Sequence, residues 1–312
     1  MRRKESNSNF LQEQAVFVWS VNLTAEPGRP AQNVSSMLRW MDRAARAREK
    51  ESGKRRIHSR GAPHFILFPE MCISGYINSA SALRRVRKEV EGSIDTVLHA
   101  TTKIPDTVVL AGHPFYAGTT VRIRHSAMQN GAILFSHDKS VLSPGEKKVF
   151  TTGERPVPFS VNFVSESGGT NGGRKSITCG IQLCYENHFP ELAAGLADDG
   201  CDILFAPFAT PRERPRQKYR RMLRFLPARG YDNSCFVVSC NIIQDFPRSG
   251  RSPGAAMIIN PKGRIIAEST SRREGCCRAV LDLSELERIR TSAMGYFLGN
   301  YIEFSAVPRS VK

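Results

Sequence analysis

The stretch GIQLCYENHFPELAAGL, residues 180–196, runs from an apolar segment through Cys184 into a helical pattern. Pro190 suits the first turn of a helix over 190–199, and Gly200 suits its C-terminus. The apolar run CDILFAPF (201–208) follows, so strand, helix and strand succeed one another around the thiol. That succession sets an α/β class. It also raises a chemical question. A cysteine at a strand-to-helix turn is either a nucleophile aimed into a cleft or a small apolar residue filling the core.

Outward from this unit the alternation continues. AVFVWSV (15–21) reads as a strand, and 31–48 as a helix with Val34, Met37, Leu38, Met41 and Ala45 at helical spacing. The basic segment 49–62 reads as a loop insertion. HFILFPE (64–70) is continuous enough to be a strand buried on both faces. Leu83, Val86, Val90, Ile94 and Leu98 then form one helical stripe, and TVVLAG (107–112) is the next strand. TVRIRHSAM and GAILFS (131–136) suggest a hairpin. SITCGIQLC (176–184) follows a Gly-rich turn, SGGTNGG (167–173). SCFVVSCNII (234–243) follows a basic helix, and AAMIINPKGRIIAES closes as two strands about a Pro-Lys-Gly turn. No repeat or linker appears. The pattern describes one α/β domain, with a mixed sheet or two sheets packed face to face.

Composition sets the bounds. A chain of 312 residues buries a core without disulfide or metal staples. No apolar run reaches transmembrane length, and the basic opening MRRKESNSNF lacks the apolar stretch of a signal peptide. Residues 1–13 read as a flexible basic tail. The eight cysteines include no C-x-x-C pair, so neither zinc nor a disulfide framework is indicated, and a cytoplasmic, reducing setting fits. The net charge of +16 is concentrated: residues 41–60 hold eight Lys/Arg against three acids, and 211–230 eight against one. Such runs bind phosphate-bearing partners or are solvated faces of surface helices. Neither carries the regular aromatics of a base-stacking platform.

Three further segments bear on Cys184. FPEMCISGY places Glu70 after a buried strand, and HDKSVLSPGEKKVFTTGE places Lys139 and Glu146 in a Pro/Gly-rich loop. A thiol attacking a carbonyl or nitrile carbon needs a base and a cation for the developing negative charge. Glu70 serves as the base if burial raises its pKa. Lys139 supplies the cation, and Glu146 holds that lysine or orients the substrate. A helix beginning just after Cys184 favours the thiolate. Taken singly, each is as easily a turn glutamate, a loop lysine or a core cysteine.

In this order and with these neighbours, the chain resembles the nitrilase superfamily, the carbon–nitrogen hydrolases with a Glu-Lys-Cys triad. Phe68-Pro69-Glu70 with Gly75-Tyr76 matches that family's first motif. Lys139, Leu142, Glu146, Phe150 and Gly153 match the second, and Cys184-Tyr185 with Phe189-Pro190-Glu191 the third. Arg229, Asn233 and Asn241 continue the match, as do Gly254, Ile258, Pro261 and Gly263 near the end. The resemblance implies a four-layer αββα sandwich over 14–284, and catalytic Glu70, Lys139, Cys184 and Glu146. It suggests Tyr76, Tyr185 and Phe189 as substrate-binding residues. It implies no metal or organic cofactor and a homodimer, with the extension 285–312 as a dimer contact too short for larger assemblies. The implied reaction is thioester formation on Cys184, release of ammonia or an amine, and hydrolysis by a water that Glu70 activates.

Departures from the family pattern bear on substrate. Glu186 and His188 stand where many members have Asp and Arg, and a structural role beside Glu191 is the reading for His188. Gly230 and Pro227 suggest a changed pocket wall, and Ala256 stands where Ser is common. The leading expectation is a hydrolase of a small amide or N-carbamoyl amine. A nitrilase is the alternative, since Glu186 resembles the glutamate of a Cys-Trp-Glu motif. From another class, the fold could be a binding module using its basic runs for nucleic acid or an acidic partner. The 211–230 run could also draw an acidic substrate to the cleft through Arg220 and Arg221. Pocket size is expected to depend on loops around 114–130, 143–149 and 208–216.

Overall fold

Along β1 (Ala15–Asn22), Val16 and Val18 enter one apolar cluster while Trp19 and Val21 enter another. The period of two puts alternate side chains on opposite faces, so this strand is covered on both. The computed structural model describes residues 15–54, 63–164, 174–210, 214–246 and 250–292. In chain order, α1 (Pro30–Lys54), β2 (His64–Leu67), α2 (Ala80–Thr101), β3 (Thr107–Ala117), β4 (Thr120–Gln129) and β5 (Ala132–Asp138) follow β1. The second half comprises β6 (Phe159–Val164), β7 (Arg174–Ile181), α3 (Pro190–Asp198), β8 (Ile203–Phe208), α4 (Pro215–Met222), α5 (Leu226–Asp232) and β9 (Phe236–Asn241). A short ladder of β10 (Asp245–Phe246) and β11 (Gly250–Arg251) precedes β12 (Gly254–Ile259), β13 (Ile265–Ser271), β14 (Gly275–Asp282) and α6 (Leu283–Arg290).

These strands make two six-stranded sheets, ordered β14-β1-β2-β3-β4-β5 and β13-β12-β9-β8-β7-β6. The centre of each is parallel, β1-β2-β3 in one and β7-β8-β9 in the other, and the flanks are antiparallel. The inner faces meet in one core, where the rings of Phe65 and Phe205 lie 5.4 Å apart. Ser20 Oγ crosses the same interface to the carbonyl of Ser239 at 2.6 Å, which satisfies a buried hydroxyl. On the outer face of the first sheet, Met37 and Met41 of α1 and Val90 and Val97 of α2 pack over Ile66 and Val109. On the other, Leu196 of α3, Met222 of α4 and Leu226 of α5 pack over Leu204 and Val237. Two helical layers enclosing two sheets form the αββα sandwich that the motifs implied.

Several elements differ from the sequence reading. Helix α1 continues to Lys54, six residues into the supposed insertion, where Glu49, Lys50 and Glu51 are good helix formers; residues 55–62 of that insertion lie outside the described residues. The basic stretch after β8 is two helices, and Pro227 opens the second rather than interrupting the first. The periodicity left β6, β14 and α6 unread. Cys276 and Cys277, which follow the bend at 272–273, lie in β14. Helix α6 crosses residue 285 and is anchored by buried Leu286 and Ile289, and its Arg290 reaches Asp202 at 2.8 Å. The tail 1–13, the turn 167–173 and residues 293–312 lie outside the described residues. Among the described residues, no helix is long and apolar enough to cross a membrane.

Candidate active site

Phe68 continues the pairing of β2 for one residue, donating its N–H to Leu110 at 2.9 Å, and the chain then turns sharply at Glu70-Met71. Met71 has φ of 57°, a left-handed conformation that a side chain rarely adopts. The turn lies flat on β3 because residue 112 is glycine: a Cβ there would sit 2.3 Å from the Met71 nitrogen. Glu70 is thereby fully buried beneath the sheet ends, rather than being the last residue of the strand itself.

Lys139 follows β5 immediately, its N–H bonded to Ile123 and its carbonyl accepting from Gly153. Its side chain is fully buried. The ammonium donates to Glu70 Oε1 and to Glu146 Oε1, each at 2.8 Å. Glu146 lies in a single 3₁₀ turn after Pro144, and its other oxygen accepts from the Ser143 N–H at 2.7 Å. Tyr76 donates its hydroxyl to Glu146 Oε1 at 3.0 Å, and Gln244 clasps the Tyr76 backbone from both sides. Burial opposes the lysine's charge, but the two carboxylates outweigh it and raise its pKa. Lys139 is a permanent cation.

Cys184 begins a 3₁₀ turn, Cys184–His188, two residues beyond Gln182. Its φ of 40° is left-handed, so strained backbone falls on the nucleophile itself and, at Met71, on the residue next to the base. Its thiol lies close enough to Glu70 to help hold the carboxylate's charge. Burial and the Glu70 charge push its pKa up to about 11, despite Lys139 and Lys218. The helix effect expected from the sequence is therefore overcome, because α3 starts six residues later and desolvation dominates. Glu70 is raised in turn, by burial first and by Glu146. A glutamate raised in this way beside the thiol is a stronger acceptor for the thiol proton.

A cavity of about 1070 Å³ opens over this floor, lined by Cys184, Lys139 and Glu146. Tyr76 and Tyr185 line it as expected, but Phe189 does not. Pro190 turns the chain into α3, and the Phe189 ring packs edge-on against Tyr185 instead, 5.6 Å between centroids. His188 lines the cavity, packing between Tyr185 and Phe225, rather than acting beside Glu191. Gly230 and Pro227 stand away from the cavity, and a Cβ on Gly230 would press on the Asn260 carbonyl at 3.0 Å. Residues 114–130 belong to the β3–β4 hairpin and contribute nothing to the wall. Glu186 is also absent from it. The other two expected loops do contribute, through Ser143 and through Phe208, Ala209 and Thr210.

Sequence reasoning missed Lys218 and Thr210. Lys218 is only 1% exposed, lines the cavity, donates to Thr210 Oγ1 at 2.7 Å and stands 4.3 Å over the Phe208 ring. Thr210 Oγ1 lies 3.8 Å from the Cys184 sulfur, and Asn241 accepts the Thr210 N–H. The available signal was spacing: Lys218 and Met222 are four apart, on the buried side of α4. Among the described residues, no group of three or more His, Cys, Asp or Glu could hold a metal ion.

Among the described residues, the basic side chains of the two runs disperse in three dimensions. Arg46 pairs with Asp42, Arg48 with Asp106, and Arg43 lies over Trp40. From the second run, Lys218 and Arg221 line the cavity, Arg229 is buried against the Asn187 carbonyl, and Arg220 points away.

Comparison with known proteins gives the family and the fold. The family model described as "Carbon-nitrogen hydrolase" matches residues 20–291. The chain is 26% identical over 247 residues to the glutamine-dependent NAD(+) synthetase of Aquifex aeolicus, covering 76% of this chain and 40% of that protein. It is 27% identical over 231 residues to the 2-oxoglutaramate amidase of Bacillus subtilis, covering 73% and 81%. Among solved structures, an amidase from Nesterenkonia sp. AN1 in complex with butyramide superposes with a TM-score of 0.66 at 22% identity, covering 87% of this chain and 93% of that one.

Proposed function

Because the chain belongs to the carbon–nitrogen hydrolase family, we propose that Cys184 opens the C–N bond of a small primary amide whose far end carries a carboxylate. One observation carries the chemistry: a single ammonium, Lys139, is held at 2.8 Å by both Glu70 and Glu146 at the floor where Cys184 enters the cavity. Glu70 takes the thiol proton as sulfur bonds to the amide carbon. Two N–H bonds of Lys139 are committed to carboxylates, and the third faces the oxygen that gains charge. Glu70 returns its proton to the nitrogen, the C–N bond breaks, and ammonia leaves a thioester on Cys184. Water deprotonated by Glu70 attacks that thioester, releasing the acid and restoring the thiol. Glu146, fixed by Ser143 and Tyr76, keeps Lys139 aimed and presents an acceptor to the amide N–H.

The carboxylate preference rests on the wall. Beyond the floor it carries Arg29, Arg85, Lys218 and Arg221 against Asp245, which is paired to Arg251. A cationic wall around a cavity of this size concentrates anionic substrates. The names of two relatives, a glutamine-dependent enzyme and a 2-oxoglutaramate amidase, point to compounds with an amide at one end and a carboxylate at the other. An N-carbamoyl amine would pass through the same steps. The glutamate that suggested a nitrilase, Glu186, is absent from the cavity wall and so gives that alternative no support. Cytoplasmic residence is part of the proposal, supported by eight free thiols, and so is the homodimer that the family resemblance implies.

The test is ammonia release from glutaramate, butyramide, N-carbamoyl-β-alanine and butyronitrile at matched concentration. Glutaramate is expected to lead by about tenfold or more in kcat/KM. Equal rates for glutaramate and butyramide would reject the carboxylate preference and leave the amidase reading intact. Turnover of butyronitrile alone would reject both. Light scattering during elution checks the dimer, which a monomer mass would exclude.

A further inference from the structure

The Glu186 carboxylate is fully buried, outside the cavity, and touches both loops that carry the catalytic groups. Its Oε1 accepts from the N–H and the hydroxyl of Ser140, each at 2.6 Å. Its Oε2 accepts from the Leu183 N–H at 2.6 Å. His137 Nε2 lies against both oxygens, at 3.1 and 3.0 Å. These partners are placed informatively in the chain. His137 and Ser140 flank Lys139, and Leu183 immediately precedes Cys184. One side chain therefore ties the lysine loop to the nucleophile loop.

We propose that Glu186 is a positioning residue: its carboxylate clamps the Lys139 loop to the Cys184 turn and holds the nucleophile in its left-handed conformation. The bond from Leu183 N–H to Glu186 closes a ring around Cys184 and Tyr185, the segment whose φ of 40° an L-residue rarely adopts. Strained backbone persists only where its surroundings over-determine it. Here they do, since the Gln182 amide also donates to the Glu186 carbonyl at 2.7 Å and the Asn187 amide to the Gln182 carbonyl at 2.8 Å. Charge matters as well as shape. Burial opposes ionisation of Glu186, but His137, Ser140 and Leu183 outweigh it and hold its pKa below the ordinary value. A neutral amide in its place would turn an N–H₂ toward a donor on one of the two loops, and the clamp would open on that side.

This role is independent of which amide the enzyme accepts, so its test uses a probe that needs no substrate. The rate at which iodoacetamide alkylates Cys184 is read by peptide mass, beside kcat and KM for glutaramate or butyramide and the melting temperature. In Glu186→Gln, folded at the assay temperature, alkylation of Cys184 is expected to slow about tenfold or more. The kcat falls about 100-fold with KM within threefold, because a misplacement of the order of 1 Å costs that much. Ser140→Ala loses only the hydroxyl bond and is expected to show a milder fall of the same kind. It also decides the matter if Glu186→Gln does not fold. Unchanged alkylation and kcat in the folded variants would overturn the proposal. So would a fall in kcat that merely tracks the folded fraction.

Discussion

The floor of the cavity and its wall are built by different rules. The floor, comprising Glu70, Lys139, Glu146 and Cys184, stands at the ends of β2, β5 and β7, and all but Cys184 are buried. The charged floor groups are held by hydrogen bonds: Lys139 by the two carboxylates, and Glu146 by Lys139, Tyr76 and Ser143. The wall over it comes from helices and loops, among them Arg85 of α2 and Lys218 and Arg221 of α4. Its cations line the cavity, and Lys218 also donates to Thr210 at 2.7 Å. Chemistry fixes the identity of the floor, whereas the wall needs only the right charge at the right distance.

That contrast orders the expected effects. Cys184→Ala removes the thiol that lines the cavity and forms the thioester, so ammonia release should fall by at least about 10⁴-fold, measured with each amide of the panel. Retained turnover would dissolve the distinction between floor and wall. Glu70→Gln should cost about 10²- to 10⁴-fold in kcat on all substrates alike. Gly112→Ala tests the same group without touching it: the Cβ would strike the Glu70-Met71 turn, and a fall of about 100-fold in kcat is expected. A Gly112→Ala enzyme with normal kcat would show that the turn shifts freely.

Wall substitutions should discriminate between substrates. Arg221→Gln is expected to lower kcat/KM for glutaramate about tenfold, mainly through KM, and to narrow the ratio to butyramide. Arg220→Gln, one residue away but facing solvent, is the control and should act less than twofold. Equal effects of the two would mean that long-range charge alone attracts the substrate.

The smallest effect concerns pH. Folded Glu70 has its pKa raised above the ordinary 4.5, so its basic form disappears as pH falls through that higher value. The acid limb of kcat/KM should therefore lie above the range of an exposed glutamate and be common to all amides. Desolvation and then the neighbouring cations Arg221, Lys218 and Arg229 lower His188 below its ordinary value, which opposes any positive charge it would add to the wall. An acid limb that differs between butyramide and glutaramate would place the titration in the wall.

The same contrast explains what was legible in the sequence. Glu70, Lys139, Glu146 and Cys184, each ambiguous alone, could be read because they stand in the order and among the neighbours of the family motifs. The central strands could be read because parallel strands buried on both faces are continuous apolar runs. Lys218 was hidden among eight basic residues, where a buried lysine and a solvated one look alike. Phe189 was misassigned because its motif position says nothing of direction, and Pro190 turns it away. Strands β6 and β14 do alternate, with Phe159 and Val161 buried against exposed Ser160 and Asn162, and Cys277 and Leu281 buried against exposed Arg278 and Val280, so a period of two was present there and went unread. Glu186 suggested substrate chemistry from its nearness to Cys184, yet it serves the scaffold.

The most direct measurement is the intact mass of wild-type and Cys184→Ala protein, acid-quenched within milliseconds of mixing with glutaramate. The account predicts a wild-type adduct equal to the acyl group, mapped to Cys184 and decaying as ammonia and glutarate accumulate, with none on the variant. Ammonia release by the Cys184→Ala protein, or an adduct on another residue, would contradict it.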